Sequence, residues 1–593
     1  MLSAAVYLLV VLAGIRSTAA QANVSSAEAL IGIWGNESNF GPLVRGDLTI
    51  DARGMAWRAT ISGFDVSVQH ENGAVSFVLP GGEGEFRGHL SPDSESIFGN
   101  WIQPAGDILN NRYASPVQLS SLGKSVWRGR VVPLDQNVSV YASVQQEPDG
   151  SLTAFVSNPE INFFRRRKFK IVRDGAAVSF IAEGLRIEGA FDEQNDVLSL
   201  RVVDFMPPFQ FTRRKDKDAV GFFPRVLPEE EGYVYRKPIV ESDGWATSSL
   251  ADAGLDQTLI SALVEKILGA NLADNPAYIQ SLLIARHGKL VLEEYFYGFN
   301  QERTHDMRSA SKTFAPVLVG IARDHGTKLE PDTPVYPLFR QYYKEFANWD
   351  ERKKSITLRD IMTMTAGTAC DDNDDSSPGN EDHMQHQRKQ TDWYKFTLDL
   401  PVLRDPGGEH AVYCSADLNL VGGVVTRSTG KWLPAFFDEY FARPLQFGSY
   451  HINLMPTGEA YAGGGWYLRP RDELKLGQLY LDGGSWNGRR IVSKEWVKES
   501  TAHQSSFTPA LDTEGKHQYG FGWHIHELNA GGRAYRDFAA EGNGGQVMIV
   551  IPELDLVVAF NGGSYGEFGK WYRWELELVP QYIIPAATSP QHH

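Results

Sequence analysis

The sequence predicts an all-β N-terminal region followed by a domain that mixes helices and strands. Two observations carry this. From about residue 27 to residue 214, short segments of alternating apolar and polar residues are broken by Gly, Asp and Asn turns, the mark of antiparallel strands. After a stretch rich in Pro, Glu and Lys at residues 223–242, helical periodicity appears between further strands. The 593 residues leave room for roughly three to five folding units. With 42% hydrophobic and 22% charged residues the chain is ordinary folded protein, and wholesale disorder is excluded. The formal net charge of −16 excludes nucleic acid as a ligand held across the whole surface, because phosphate binding needs positive potential.

At the start of the chain, residues 2–14 are apolar and lead into Ser17-Thr18-Ala19-Ala20-Gln21-Ala22. A short apolar core followed by small residues predicts a signal peptide over residues 1–22 and a secreted or periplasmic protein. The run is shorter than the ~20 apolar residues that a spanning helix needs, so no integral membrane segment is expected once it is removed. Asn23-Val24-Ser25, Asn36-Glu37-Ser38 and Asn137-Val138-Ser139 are glycosylation sequons in a eukaryotic secretory pathway. Two cysteines, Cys370 and Cys414, are too few for a disulfide framework or a cysteine zinc cluster. Export and an even count favour a bridge between them over two buried thiols.

The β region divides into two units, expected over residues 23–120 and 121–218, each a sandwich or part of a barrel. A loose repeat supports the division. Gly32-Ile33-Trp34-Gly35 resembles Ser125-Val126-Trp127-Arg128-Gly129, and Phe86-Arg87-Gly88-His89-Leu90 resembles Ile187-Glu188-Gly189-Ala190-Phe191. The basic and aromatic segment at residues 163–170 is read as a cationic outer strand face, with a site for an anionic ligand as the alternative. A linker follows over 219–243, then a domain over 244–585 and a tail over 586–593. Within that domain residues 259–268 read as an amphipathic helix, and residues 281–295 as a hairpin turning at His287-Gly288-Lys289.

The chemistry concentrates in three places. In Met307-Arg308-Ser309-Ala310-Ser311-Lys312-Thr313, ahead of an apolar-periodic helix, Ser309 and Lys312 are three residues apart and share one helical face. A serine hydroxyl needs a base, and a lysine becomes one when burial lowers its pKa. Pro316 is an irregularity that could perturb the second turn of that helix. A lone Ser-x-x-Lys is common by chance, so the other two places matter. Tyr413-Cys414-Ser415 follows a Pro-Gly turn, and a tyrosinate can exchange protons with the serine and the leaving group. Gly542-Asn543-Gly544-Gly545-Gln546 opens a strand whose glycines let a substrate reach the backbone and whose amides can bind an oxyanion.

In this order the three motifs resemble the serine hydrolases related to class C β-lactamases, penicillin-binding DD-peptidases and family VIII esterases, whose pattern is S-x-x-K, Y-x-N and a late K-T-G or H-x-G. Residues 357–367, Ala462-Gly463-Gly464-Gly465-Trp466 and Arg469-Pro470-Arg471-Asp472 add to the likeness, which covers residues 244–585. Tyr413-Cys414 and the late Gly-Gly are similar to the 6-aminohexanoate-dimer hydrolase branch. The resemblance implies an α+β catalytic domain, with an antiparallel sheet flanked by helices and an all-helical lobe. It implies Ser309 as acylated nucleophile, Lys312 as its base, Tyr413 in proton transfer, and the N–H groups of Ser309 and Gln546 as oxyanion hole. Ser415, Asn543, Gly544 and Gly545 fall at the substrate-binding positions.

Two departures stand out. Ser415 replaces the asparagine of Y-x-N, and Asn543 replaces the cationic or imidazole residue of the third motif, which disfavours a substrate carboxylate. The acidic run from Asp371 to Asp375, with Glu381 and Asp382, lacks the glycine and final glutamate of a calcium loop and is expected to be a solvated rim. His383 and His386 are expected to be surface residues without a third ligand. No cofactor or metal is expected. The function expected is an exported serine acyl-hydrolase acting on a small ester or amide. The alternatives are a cell-wall DD-peptidase or β-lactamase, and a non-catalytic binding or sensor protein on the same scaffold.

Overall fold

The computed structural model describes residues 27–589 apart from 107–110, 166, 203–206, 226–231, 271–277 and 508–516. The expected signal peptide and the sequon at Asn23 lie outside the described residues. Among the described residues no helix is long and apolar enough to cross a membrane.

Alternation organises the N-terminal region into two β units, but the strands cross the expected division. Gly32–Asn39 pairs with Asn137–Gln146 on one side and with Phe209–Arg214 on the other. It thereby closes an eight-stranded barrel whose other strands all come from residues 137–214. Trp34, Phe169, Phe180, Leu198 and Phe211 fill the interior. The second sheet is built from strands between Gly46 and Val131 around Leu48, Phe77, Phe86 and Trp101. Val126–Val131 sits inside that sheet, between Gly46–Asp51 and Arg112–Gly123. The expected boundary at 120/121 therefore falls inside a continuous strand. The two stretches that resemble each other, around Trp34 and Trp127, each lie in the sheet of the other unit. Alternation predicts strands but not their partners, because a ladder is closed by residues far apart in sequence.

The second domain is built on a nine-stranded, mostly antiparallel sheet. Along its length the order is Ala246–Thr247, Lys289–Tyr295, Ile279–Arg286, Leu556–Gly562, Gln546–Ile551, Arg533–Gly542, His524–Ala530, His517–Tyr519 and Ser505–Phe507. Ile279–Arg286, Gln546–Ile551 and Leu556–Gly562 are buried throughout, as strands covered on both faces must be. The helix Gln257–Leu268 and the C-terminal helical segment from Trp574 cover one face. Pro470–Leu481 covers the other, with Gly477 so close to Met548 and Val557 that a Cβ would lie 2.5 Å from each. The expected hairpin turns on His287 and Gly288, both at positive φ, which matches the right-handed twist of the strands. Helices between Phe314 and Ala442 form the lobe beside the sheet. The expected tail at 586 is part of this domain, since the helix Ile584–Thr588 is docked by an Asp256 N–H to Ala586 carbonyl hydrogen bond of 2.9 Å.

The two regions are joined by more than the linker. Ile452–Leu454 of the helical part adds as a strand to Arg112–Gly123. Ser115 Oγ lies 2.7 Å from His451 Nδ1, and Gln280 Nε2 donates to the Pro159 carbonyl at 2.6 Å. Tyr113 meets Tyr467 edge-on, one strand pairing away from Asp306 and the turn that carries Ser309.

Candidate active site

Ser309 and Lys312 stand on a single 3₁₀ turn, Arg308–Thr313, that runs directly into the helix Phe314–Asp324. In a 3₁₀ turn side chains three apart eclipse one another, which brings this pair together more directly than an α-helix does. Lys312 Nζ lies 2.9 Å from Ser309 Oγ. Pro316 is the third residue of the helix Phe314–Asp324, where an N–H has no acceptor within that helix, so the expected irregularity costs it little. Arg308 holds the left-handed conformation at φ 46°, a strained state for a side-chain-bearing residue and one that recurs at functional sites. The glycine-rich segment before Trp466 clasps this turn. Met307 N–H donates to the Trp466 carbonyl, Gly465 N–H to the Arg308 carbonyl, and Trp466 N–H to Ser311 Oγ.

Lys312 is 2% exposed, and that burial pulls its pKa below the ordinary lysine value. The carboxylates of Glu381 and Asp372 oppose the shift without cancelling it. Ser309 is only partly buried and so is open to a substrate. The Tyr413 hydroxyl approaches Ser309, and Lys312 Nζ sits 5.1 Å from the Tyr413 ring centroid. Burial pushes the Tyr413 phenol far above its ordinary pKa, with Asp372, Glu381 and Glu541 adding to the rise. A phenol held this way keeps its proton, so the tyrosinate expected from sequence gives way to a neutral hydroxyl able to relay a proton.

The expected bridge is present. Cys370 and Cys414 form a disulfide with Cα atoms 5.5 Å apart. It ties the acidic loop to the residue beside Tyr413. Part of that loop is not the solvated rim expected. Asp374 and Asp375 face solvent, but Asp372 Oδ2 accepts from the Ser415 N–H at 2.7 Å and Asp372 Oδ1 accepts from the Glu381 N–H at 2.9 Å. Burial, with the neighbouring Glu381, pushes the Asp372 carboxyl up to about 6. Glu381 in turn accepts from the Tyr461 hydroxyl and from Ser415 Oγ. His383 and His386 are exposed, as expected.

Ser415 is fully buried, and both its N–H and its hydroxyl are spent on these two carboxylates. It anchors the charges beside Lys312 instead of facing a substrate. The third motif abuts the Ser309 turn through its first glycine. Gly542, the last residue of its strand, is pressed on the Ser309 turn, where a Cβ would lie 2.3 Å from the Met307 carbonyl oxygen and 3.1 Å from the Ala310 nitrogen. Asn543 Oδ1 instead accepts from the Gly566 N–H at 2.8 Å. Gly544 and Gly545, at φ 95° and 94°, lie under the rings of Tyr565 and Trp574 and shape the hairpin. Gln546 pairs with Gly542 across that hairpin, and its side chain donates to the Gly562 carbonyl at 2.6 Å, on the side of its strand away from Gly542. The glycine that ends the strand, Gly542, is the one whose Cβ position meets the Ser309 turn. Glu541, beside it, was missed altogether.

The Beta-lactamase family is matched over residues 258–567, more than half of the chain, and the chain belongs to that family. A 6-aminohexanoate-dimer hydrolase of Paenarthrobacter ureafaciens is 28% identical over 247 residues, 40% of this chain and 59% of the relative. The chain thus spans less than two thirds of that relative's length. A penicillin-binding protein homologue from Caulobacter crescentus is 16% identical with a TM-score of 0.41, covering 52% of this chain and 91% of its own. A β-lactamase from Mycobacterium bovis is 18% identical with a TM-score of 0.37, covering 53% of this chain and 95% of its own.

Proposed function

We propose that the protein hydrolyses an ester or amide through an acyl-enzyme on Ser309. The observation that carries this reading is the convergence of Lys312 Nζ and the Tyr413 hydroxyl on Ser309 Oγ. Neutral Lys312 takes the Ser309 proton as Oγ attacks the carbonyl carbon, and the tetrahedral oxyanion is held by the Ser309 N–H and the backbone where Gly542 meets the turn. Tyr413 passes the proton to the leaving alcohol or amine. Water then attacks the acyl-enzyme, with the same groups returning the proton to Ser309.

The substrate class we infer lacks a carboxylate near the reacting carbonyl. Glu381 and Asp372 lie close to both Lys312 and Tyr413, so the carboxylates beside the site repel an anion. This favours a neutral ester or amide over a β-lactam or a D-Ala-D-Ala terminus. The 6-aminohexanoate-dimer hydrolase relative supports the amide side of this choice. The Cys370–Cys414 bridge supports residence in an oxidising compartment, in keeping with the export segment expected at residues 1–22. In the domain division we propose, the two β units and the linker end near residue 243 and the hydrolase domain runs from 244 to at least 588.

A fluorophosphonate probe tests the nucleophile. The wild-type protein becomes labelled and Ser309→Ala does not; equal labelling of both overturns the assignment. A panel of neutral esters and amides beside nitrocefin and a D-Ala-D-Ala peptide tests the substrate class.

A further inference from the structure

Beside the nucleophile turn, the sheet carries a cluster that the acyl-transfer chemistry does not use. His524 and His526 are two apart on one strand and so share a face. His517 comes from the strand on one side and Glu541 from the strand on the other. His517 Nε2 lies 2.8 Å from His524 Nδ1 and 3.1 Å from His526 Nε2. Glu541 Oε1 lies 3.2 Å from His526 Nε2 and 3.8 Å from His524 Nδ1. All four donor atoms fall within 4.8 Å of one another.

We propose that His517, His524, His526 and Glu541 form a four-coordinate site for a divalent transition-metal ion of the zinc type. Zinc with nitrogen and oxygen ligands at ~2.0–2.1 Å sets donor atoms about 3.3–3.4 Å apart along the edges of a tetrahedron. The four measured edges, 2.8, 3.1, 3.2 and 3.8 Å, straddle that spacing. Hydrogen bonding alone serves the cluster poorly. His517 Nε2 offers one proton or one lone pair yet faces two imidazole nitrogens, whereas a metal accepts a lone pair from each. Glu541 is 3% exposed, and neither of its oxygens accepts a hydrogen bond of ordinary geometry, although His526 and the Tyr572 hydroxyl approach it.

The surroundings have the form that supports metal-binding histidines. His526 turns its other nitrogen, Nδ1, to Glu575 at 3.0 Å and to Asp537 at 3.4 Å, and both carboxylates are buried. Carboxylates in that position fix the tautomer and orientation of a ligating imidazole. Among the described residues, the ion pairs made by Glu541, Asp537 and Glu575 are all with histidines, so a dication would offset buried negative charge that no Lys or Arg meets there. Glu541 directly precedes Gly542, so a metal would brace the strand that abuts the nucleophile turn.

The test is metal content of the full-length protein, stripped with a chelator, equilibrated at micromolar free zinc and passed through a desalting column. The expected result is one zinc per chain, with cobalt giving the intense visible bands of a four-coordinate ion. His517→Ala, at a partly exposed position, and Glu541→Gln should each weaken zinc binding by more than about tenfold. Circular dichroism checks that each variant is folded, and the wild-type stoichiometry stands even if a variant is not. Substoichiometric zinc on the wild-type protein, or equal affinity in a folded His517→Ala/Glu541→Gln double variant, overturns the proposal. Neither result bears on fluorophosphonate labelling of Ser309, so the two readings fail separately.

Discussion

Lys312 Nζ and Ser309 Oγ are 2.9 Å apart on one 3₁₀ turn, with the amine buried and the hydroxyl partly open to solvent. The arrangement places an amine of lowered pKa against the hydroxyl proposed as nucleophile before any substrate arrives. Lys312→Met should lower kcat by about 10²–10⁴-fold, the usual contribution of a positioned general base. Steady-state rates on a neutral chromogenic ester read this directly, and an unchanged kcat removes Lys312 from the mechanism.

Tyr413 is held as a phenol next to the same oxygen. Tyr413→Phe keeps the ring against Phe507, whose centroid is 5.8 Å away, so the fold should survive. The expected effect is a drop in kcat of about 10²-fold or more with KM little changed. A parallel rise in KM with unchanged kcat would instead give Tyr413 a binding role.

The carboxylate of Glu381 raises the pKa that burial lowers at Lys312. Only the neutral amine can take a proton, so kcat/KM should climb with pH through the Lys312 pKa. Removing a nearby negative charge makes the ammonium less stable. The ascending limb of the Glu381→Gln profile should therefore lie at lower pH than in the wild type. A limb displaced to higher pH contradicts the electrostatic account.

Gly542 and Gly545 should fail differently. At Gly542 a methyl group meets the Met307 carbonyl oxygen at 2.3 Å, so Gly542→Ala displaces the strand from the nucleophile turn and should reduce labelling of Ser309. At Gly545, with φ 94° and Trp574 2.1 Å from an added Cβ, alanine should chiefly cost stability, by about 1–3 kcal/mol. Fluorophosphonate labelling and urea unfolding of the two variants separate these effects.

Glu473 is buried with, among the described residues, only Asn561 donating to its side chain, and burial pushes its carboxyl up to about 8. Because the folded-state pKa lies above the ordinary 4.5, the native state holds the proton more tightly, and stability falls as pH rises through the window from about 4.5 to 8. Glu473→Gln removes that dependence. Its stability relative to wild type should improve by about 1 kcal/mol per pH unit across the window. Urea unfolding at both ends measures it, and equal differences at the two pH values refute it.

Amino-acid order alone determined the local elements and the covalent neighbours: the β-then-mixed layout, the hairpin at His287-Gly288, and the pairing of Ser309 with Lys312 within one turn. Periodicity and i,i+3 spacing act over a few residues, so they can be read without a fold. Tertiary structure decided what depends on distant partners. It placed Gly32–Asn39 in a barrel made from residues 137–214 and set Gly542 against the turn that carries Ser309. It turned Asp372 and Glu381 inward beside Lys312, and it gathered three histidines and Glu541 from three strands. Strand partners, burial and pKa shifts arise when segments remote in sequence exclude water from one another, and that happens only once the chain has packed.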